Sequence, residues 1–166
     1  MYEVIITENA FSNPWFWVVI IITWSNLLQY SFGISREMFN AARRGDEQAQ
    51  RDTLALLDVN ARVIINDFTK FGNLLVLMMC FVLSSFATIG FKEDIYTLQA
   101  LVFIGLPVAI TGIISFVFSK KIVNNTHDWD LLCRTYNKFW YIKWAIALIS
   151  IAITMFWAVY IEVTVF

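Results

Sequence analysis

The stretch PWFWVVIIITWSNLLQYSFG, residues 14–33, decides the fold class of this chain. An α-helix rises about 1.5 Å per residue, so about twenty apolar residues cross the hydrocarbon core of a bilayer, which is roughly 30 Å thick. This run has that length and contains no charged residue. It carries two amides, Asn26 and Gln29, and an unpaired amide in hydrocarbon costs several kcal/mol. The run therefore predicts a transmembrane helix whose amides contact other helices.

Four such apolar runs predict four transmembrane helices. Hydrophobic residues make up 59% of the chain and charged residues 15%. The hydrophobic share is higher and the charged share lower than in a soluble domain, as is typical of a membrane protein. The runs are continuous rather than alternating, so they favour helices over a β-barrel. The sequence predicts an all-α integral membrane protein with a single four-helix domain over residues 1–166. The predicted spans are about 14–32, 72–91, 98–118 and 139–165.

The distribution of Lys and Arg predicts the orientation in the membrane. Eleven of the twelve Lys and Arg residues fall in or beside two connections, residues 33–71 and 119–138. Short loops rich in Lys and Arg lie on the cytoplasmic side, so both connections are predicted to be inner loops. Lys143, near the start of the last span, is expected to reach the headgroups by snorkelling. Both termini are then expected on the periplasmic or extracellular side, most simply of a bacterial inner membrane.

The first inner loop is too long for a simple turn and is predicted to be helical. Its first part, ISREMFNAARR, is expected to continue the first span, and Gly45 is expected to end that helix. Asp46 and Glu47 then favour the start of a new helix. Its apolar residues alternate at spacings of three and four, which defines one helix face. We leave two interpretations open for this face: packing on the protein's own helices or the membrane surface, or docking of a partner helix. The face consists of Leu54, Leu57, Ala61, Ile64 and Phe68.

Neutral polar residues also recur at helical spacing inside the predicted spans. Residues three or four apart lie on the same face of a helix, and small polar side chains on such faces mediate contacts between membrane helices. Three roles remain open for them: closure of the protein's own bundle, contact with a neighbouring subunit, or the wall of a water-filled pathway. These residues are Thr23, Asn26 and Gln29 in the first span, Ser84 and Thr88 in the second, and Ser150 and Thr154 in the fourth.

The sequence offers little for catalysis. It contains no Gly-rich phosphate loop, no HExxH pair, no GxSxG motif and no paired carboxylates within the spans. His127 lies near two aspartates and Cys133, but the spacing matches no zinc pattern. Cys80 and Cys133 are expected to be reduced thiols. We therefore expect no catalytic residue, no metal and no cofactor, and the acids within the basic loops argue against nucleic acid as a partner.

Three functions from different classes remain. The favoured one is a non-catalytic accessory or structural subunit of a larger membrane complex, which contacts other membrane proteins through its helices and its cytoplasmic loop. The second is a homo-oligomeric channel or pore with Asn26 and Gln29 facing the axis. The third is a small membrane enzyme acting on a lipophilic substrate, which rests on fold analogy alone. The expected partners are other membrane subunits or further copies of this chain, together with the lipid bilayer.

Overall fold

A computed structural model describes residues 10–125 and 128–165, and helices contain most of them. The all-α class predicted from the sequence is confirmed. The helices are α1 (Pro14–Gln29), α2 (Arg36–Arg43), α3 (Glu47–Lys92), α4 (Tyr96–Asn124) and α5 (Trp129–Val165). Two short strands, β1 (Tyr30–Ser31) and β2 (Ile34–Ser35), lie between α1 and α2.

Among the described residues, three helices are long and apolar enough to cross a membrane, namely α3, α4 and α5. Their length and composition support an integral membrane protein. Helix α1 is equally apolar but has only 16 residues, or about 24 Å at the rise of an α-helix. The structure thus contains three helices of full spanning length where the sequence predicts four.

Helix α1 is short because the chain turns back directly after it. Strands β1 and β2 form an antiparallel hairpin in which Ser31 pairs with Ile34. The two residues of the turn, Phe32 and Gly33, have φ of 56° and 71°. A type I′ turn requires positive φ at both central residues, and this turn fits the twist of a two-residue hairpin. The predicted helical continuation of the first span through ISREMFNAARR is therefore wrong, because a hairpin separates α1 from α2.

Helix α2 begins at its own cap. The hydroxyl of Ser35 accepts a hydrogen bond from the backbone N–H of Met38 at 3.2 Å, which satisfies one of the free N–H groups of the first turn. The predicted break after α2 is confirmed, since Gly45 has a φ of 97°. Asp46 then accepts from the backbone N–H of Ala49 at 3.0 Å and caps α3.

Helix α3 is longer than the sequence predicts. It is one helix of 46 residues, whereas the sequence predicts a loop helix followed by a separate span that begins near residue 72. Nothing in the sequence at that junction stops a helix, because the only glycine there, Gly72, is tolerated within the helix and lies against the ring of Phe68. The predicted inner loop and the second predicted span therefore share one continuous helix.

The described residues form two compact units. The first unit comprises residues 10–24, 74–110 and 145–165, and the second unit comprises residues 25–73 and 111–144. The single domain expected from the sequence stays a prediction. The second unit has an aromatic-rich core that contains Phe32, Ile34, Phe39, Leu57, Ala61, Phe118, Ile122, Leu132, Cys133, Tyr136 and Phe139. The first unit has a smaller buried cluster that contains Phe11, Tyr96, Ala100 and Ile161.

Candidate functional site

The apolar face predicted on the first inner loop lies in the core of the second unit. Leu57 and Ala61 are fully buried there, and Leu54 and Ile64 pack at the edge of the same core. The ring of Phe68 stacks on Phe116, with ring centroids 4.7 Å apart. Residues of the same unit thus cover this face. Of the two interpretations left open by the sequence, the structure favours packing on the protein's own helices, and docking of a partner helix on this face stays a prediction.

The three polar residues of α1 do not lie in one site. Thr23 belongs to the first unit and is half-buried, whereas Asn26 and Gln29 belong to the second unit and are exposed. The fold of the chain therefore leaves both amides at its surface. Contact with a neighbouring subunit and a position beside a water-filled pathway stay predictions for these two residues.

The hydroxyl residues of the other spans differ in their surroundings. Thr23, Ser150 and Thr154 line one narrow cleft of the first unit, which has no room for a water molecule. Ser84 and Thr88 are exposed, and each hydroxyl donates to a carbonyl of its own helix, at 3.0 and 2.8 Å. Thr154, which is buried, does the same toward Ser150. A serine or threonine hydroxyl in a helix can donate a hydrogen bond to a carbonyl of its own helix. The spacing of these residues alone therefore did not indicate which of them contact each other.

A buried lysine links the β1–β2 hairpin to α5 within the second unit. The Lys143 side chain is only 3% exposed, and its Nζ donates to the Ser31 hydroxyl at 3.0 Å. It also lies 5.4 Å from the ring centroid of Phe139. The predicted snorkelling of Lys143 to the headgroups is therefore wrong, because the hairpin covers this side chain. No local sequence pattern indicated the contact, since its two residues are 112 positions apart.

A second cation, at the start of α2, also contacts α5. The Arg36 guanidinium donates to Asn137 Oδ1 at 3.1 Å and lies 4.3 Å from the ring centroid of Trp140. Tyr136, which precedes the apolar span at 139–165, stacks on Phe39 at 4.0 Å between ring centroids.

The Ser31 and Lys143 pair has the separation of a nucleophile and its base, as in enzymes that use a serine and a lysine. Catalysis also requires that a substrate reach the nucleophile. Ser31 is only 2% exposed and Lys143 only 3%. The pair is therefore enclosed by the second unit, and its geometry is that of a structural link between the hairpin and α5.

Two further amides make contacts that the sequence did not reveal. In the second unit, Asn60 donates to the carbonyl of Phe32 at 2.8 Å and so holds the hairpin turn against α3. In the first unit, the buried Gln99 donates to the carbonyl of Gly90 at 2.9 Å and accepts from Trp157 Nε1 at 3.0 Å. In both cases the sequence shows only a single amide within or beside an apolar stretch. Such an amide indicates a hydrogen-bond partner but does not identify that partner.

A cleft of about 350 Å³ lies in the first unit, between residues of α3, α4 and α5. Its walls are apolar side chains, including those of Phe91, Pro107 and Ile153, and Ser150 is the polar residue that lines it. An active site needs titratable or polar groups that converge on the reacting atoms. These walls present no ionisable side chain, so the cleft gives no support to the enzyme interpretation.

Comparison of the chain with protein-family models, with characterised proteins and with solved structures finds no match. His127, which the sequence analysis weighed as a metal ligand, lies outside the described residues.

Proposed function

We propose that this protein is a non-catalytic integral membrane subunit that works by packing against other membrane proteins. The observation that supports this is the use of three polar side chains that the fold covers fully or partly. The buried Lys143 and Gln99 and the half-buried Asn60 each donate a hydrogen bond to a neighbouring element of their own unit. A binding or catalytic site instead directs several polar groups into a cavity that a ligand can enter. This use of polar groups is what a rigid structural subunit needs.

The proposed membrane arrangement has four spans, with α1 as the first and shortest. A bilayer accommodates a span of this length by thinning locally. Helix α3 has 46 residues, about 69 Å, and exceeds the roughly 30 Å core twofold. Its N-terminal part, which carries Arg51, Arg62 and Lys70, then extends from the inner face of the membrane.

The proposed orientation has its own test. A reporter that is active only in the cytoplasm, fused after Phe166, is expected to be inactive, because the Lys-rich and Arg-rich segments hold the opposite face inside. The same reporter inserted after Gly45 serves as the matched control and is expected to be active, since Gly45 is exposed and lies between two helices. Activity at the C-terminus would contradict the orientation.

The surface of α3 supports assembly with other membrane proteins. Of the 18 consecutive residues that are most apolar in α3, only 6% are buried inside the chain. The corresponding shares are 17% for α4 and 22% for α5. Helices in a membrane associate through packing and polar contacts rather than by escape from water. A spanning helix with so little cover from its own chain leaves a broad surface for other subunits.

The first experiment is the native mass of the protein, extracted gently from its own membrane with a tag at the C-terminus. We expect an assembly heavier than a single chain, either with other polypeptides or with further copies. A harsher detergent that dissociates subunits provides the reference mass for one chain. A protein that stays monomeric in every mild detergent would contradict the proposal.

The exposure of Asn26 and Gln29 favours a homo-oligomeric channel as the second candidate. Polar side chains exposed at the surface of one copy can line an axis between several copies. In a reconstituted bilayer, Asn26→Leu is then expected to abolish or reshape ion flux. The matched control is Ser25→Ala, a change at the adjacent exposed position. Absence of flux from the wild-type protein would exclude this candidate.

A further inference from the structure

The N-terminal part of α3 has an exposed face whose residues make none of the contacts described above. Along it, residues alternate at spacings of four and three, and every one of them is exposed. Three large apolar residues begin it: Leu56 is 40% exposed, Val59 57% and Val63 50%. It lies away from Leu57 and Ala61, which face the core of the second unit. We call this face the α3 stripe, and it consists of Leu56, Val59, Val63, Asn66, Lys70 and Asn73.

The spacing of the α3 stripe is that of a coiled-coil seam. In the heptad abcdefg, apolar residues at a and d face the partner helix. Leu56 and Val63 take a positions, and Val59 takes the d position between them. Asn66 takes the next d position, and a polar residue at one seam position fixes register and oligomeric state at some cost in stability. Leu56, Val59 and Val63 thus form an apolar part of the seam, whereas Asn66, Lys70 and Asn73 make the rest of it polar and place the two Lys70 side chains beside each other.

The charges beside the stripe are complementary to those of a second copy of α3. In a parallel coiled coil, the g residue of one helix reaches the e residue of the next heptad in the other helix. Arg62 takes a g position, and Asp67, five residues later, takes that e position. Two copies of α3 therefore place each Arg62 opposite the Asp67 of the other copy, which gives two pairs of opposite charge. Arg62 contacts Asp58 of its own helix at 2.9 Å, but its side chain is 66% exposed and within reach of a second helix.

Membrane symmetry gives the same orientation. Two copies inserted in the same direction are related by an axis along the membrane normal, so their crossing helices run parallel. Helix α3 continues from the stripe into a segment apolar enough to cross the membrane. We propose that the α3 stripe is a dimer interface that pairs in parallel with the α3 stripe of a second copy of this chain. This proposal rests on the proposed function, and it identifies a second copy of the chain as one of the membrane proteins that this protein packs against.

The test is oxidative cross-linking of introduced cysteines in native membranes. The parent variant is Cys80→Ser, which removes the exposed cysteine and keeps the buried Cys133. Val63→Cys in this parent is expected to give mainly a covalent dimer, because the two a positions face each other. Arg51→Cys is the matched control: its side chain is 75% exposed but lies at an outer heptad position, so it is expected to stay monomeric. Equal cross-linking of the two variants would overturn the proposal.

Charge reversal tests the identity of the partner. With Val63→Cys as the readout, Arg62→Asp alone and Asp67→Arg alone are each expected to reduce the dimer, because each places like charges opposite one another. The double variant is expected to restore it, since the opposite-charge pairs are re-formed in the reversed sense. Single charge variants that cross-link as well as Val63→Cys alone, or a double variant that stays monomeric, would overturn the pairing.

The two proposals fail in distinguishable ways. A heavy native assembly whose Val63→Cys variant does not cross-link contradicts the α3 dimer and leaves the subunit proposal standing. A monomeric native mass without cross-linking contradicts both. All substituted positions are on the exposed surface of α3, so the variants keep the core of the second unit intact.

Discussion

The two units of the molecule differ in what they bury. The largest fully buried side chains of the second unit are mostly apolar or aromatic, such as Phe39 and Leu57. In the first unit the corresponding side chains are polar, namely Gln99 and Thr154, and large apolar residues such as Leu77 are exposed. Water drives apolar groups inward, whereas lipid gives no such force, and helices in lipid are held by packing and polar contacts. We expect a difference of this kind between a unit packed mainly in lipid and a unit packed mainly in water.

The largest effect should come from truncating the core of the second unit. Leu57→Ala is expected to lower the free energy of unfolding by about 2 to 5 kcal/mol, because it leaves a cavity at a fully buried site. Leu77→Ala, at a position that is 64% exposed in the first unit, is the matched control and is expected to change it little. Thermal unfolding of both variants in detergent measures this. Equal losses would show that the two units bury apolar groups alike.

The next effect concerns the link between the hairpin and α5. We expect Ser31→Ala and Lys143→Met each to destabilise the protein and to be coupled by about 1.5 to 3 kcal/mol, as a hydrogen bond to a charged group is. The double variant should then lose less than the two single variants together. A double-mutant cycle from unfolding curves measures the coupling. Strictly additive losses would mean that the 3.0 Å contact contributes nothing to stability.

A smaller effect is expected from the polar contact of the first unit. Gln99→Leu removes the hydrogen bonds to Gly90 and Trp157, and contacts of this kind in membrane proteins are worth about 0.6 to 2 kcal/mol. Thr97→Val, at an exposed position on the same turn, is the control. Unfolding in detergent should rank Gln99→Leu below Thr97→Val in stability. If Thr97→Val were the less stable variant, the hydrogen bonds of Gln99 would not explain why Gln99 is buried.

The smallest effect should have the opposite sign. Thr53 is fully buried in the second unit, and its hydroxyl has no hydrogen-bond partner among the described residues. Thr53→Val keeps the shape and removes this unsatisfied group, so it should raise the free energy of unfolding by up to about 1 kcal/mol. The exposed Thr69→Val serves as the control. A loss of stability from Thr53→Val would imply that the hydroxyl makes a contact that matters.

The sequence predicts the parts of this fold that depend on local pattern. Long uncharged runs identify α3, α4 and α5 as apolar helices, and Gly45 with Asp46 marks the boundary between α2 and α3. The spacing of Leu57 and Ala61 predicts a helix face that needs a partner. It does not say whether that partner is the same chain, because a face of this kind looks alike in both cases.

The remaining features depend on contacts between distant residues. Phe32 has a positive φ, which its residue type disfavours, so only Gly33 signalled the hairpin turn. The burial of Lys143 requires Ser31, and the exposure of Asn26 and Gln29 depends on where other helices lie. Spacing along one helix defines its faces, whereas the position of each face in the molecule is set by elements far away in the chain.

The hairpin is also completed late during biosynthesis. Asn60, which holds the Phe32 carbonyl, lies 28 residues downstream, so the ribosome adds it about 1 to 6 s later at 5 to 20 residues per second. Lys143 lies 112 residues after Ser31 and follows after about 6 to 22 s. Between these two events the nascent chain carries a hairpin that Asn60 can hold but Lys143 cannot. A contact from α5 thus secures a turn that was made 112 residues earlier.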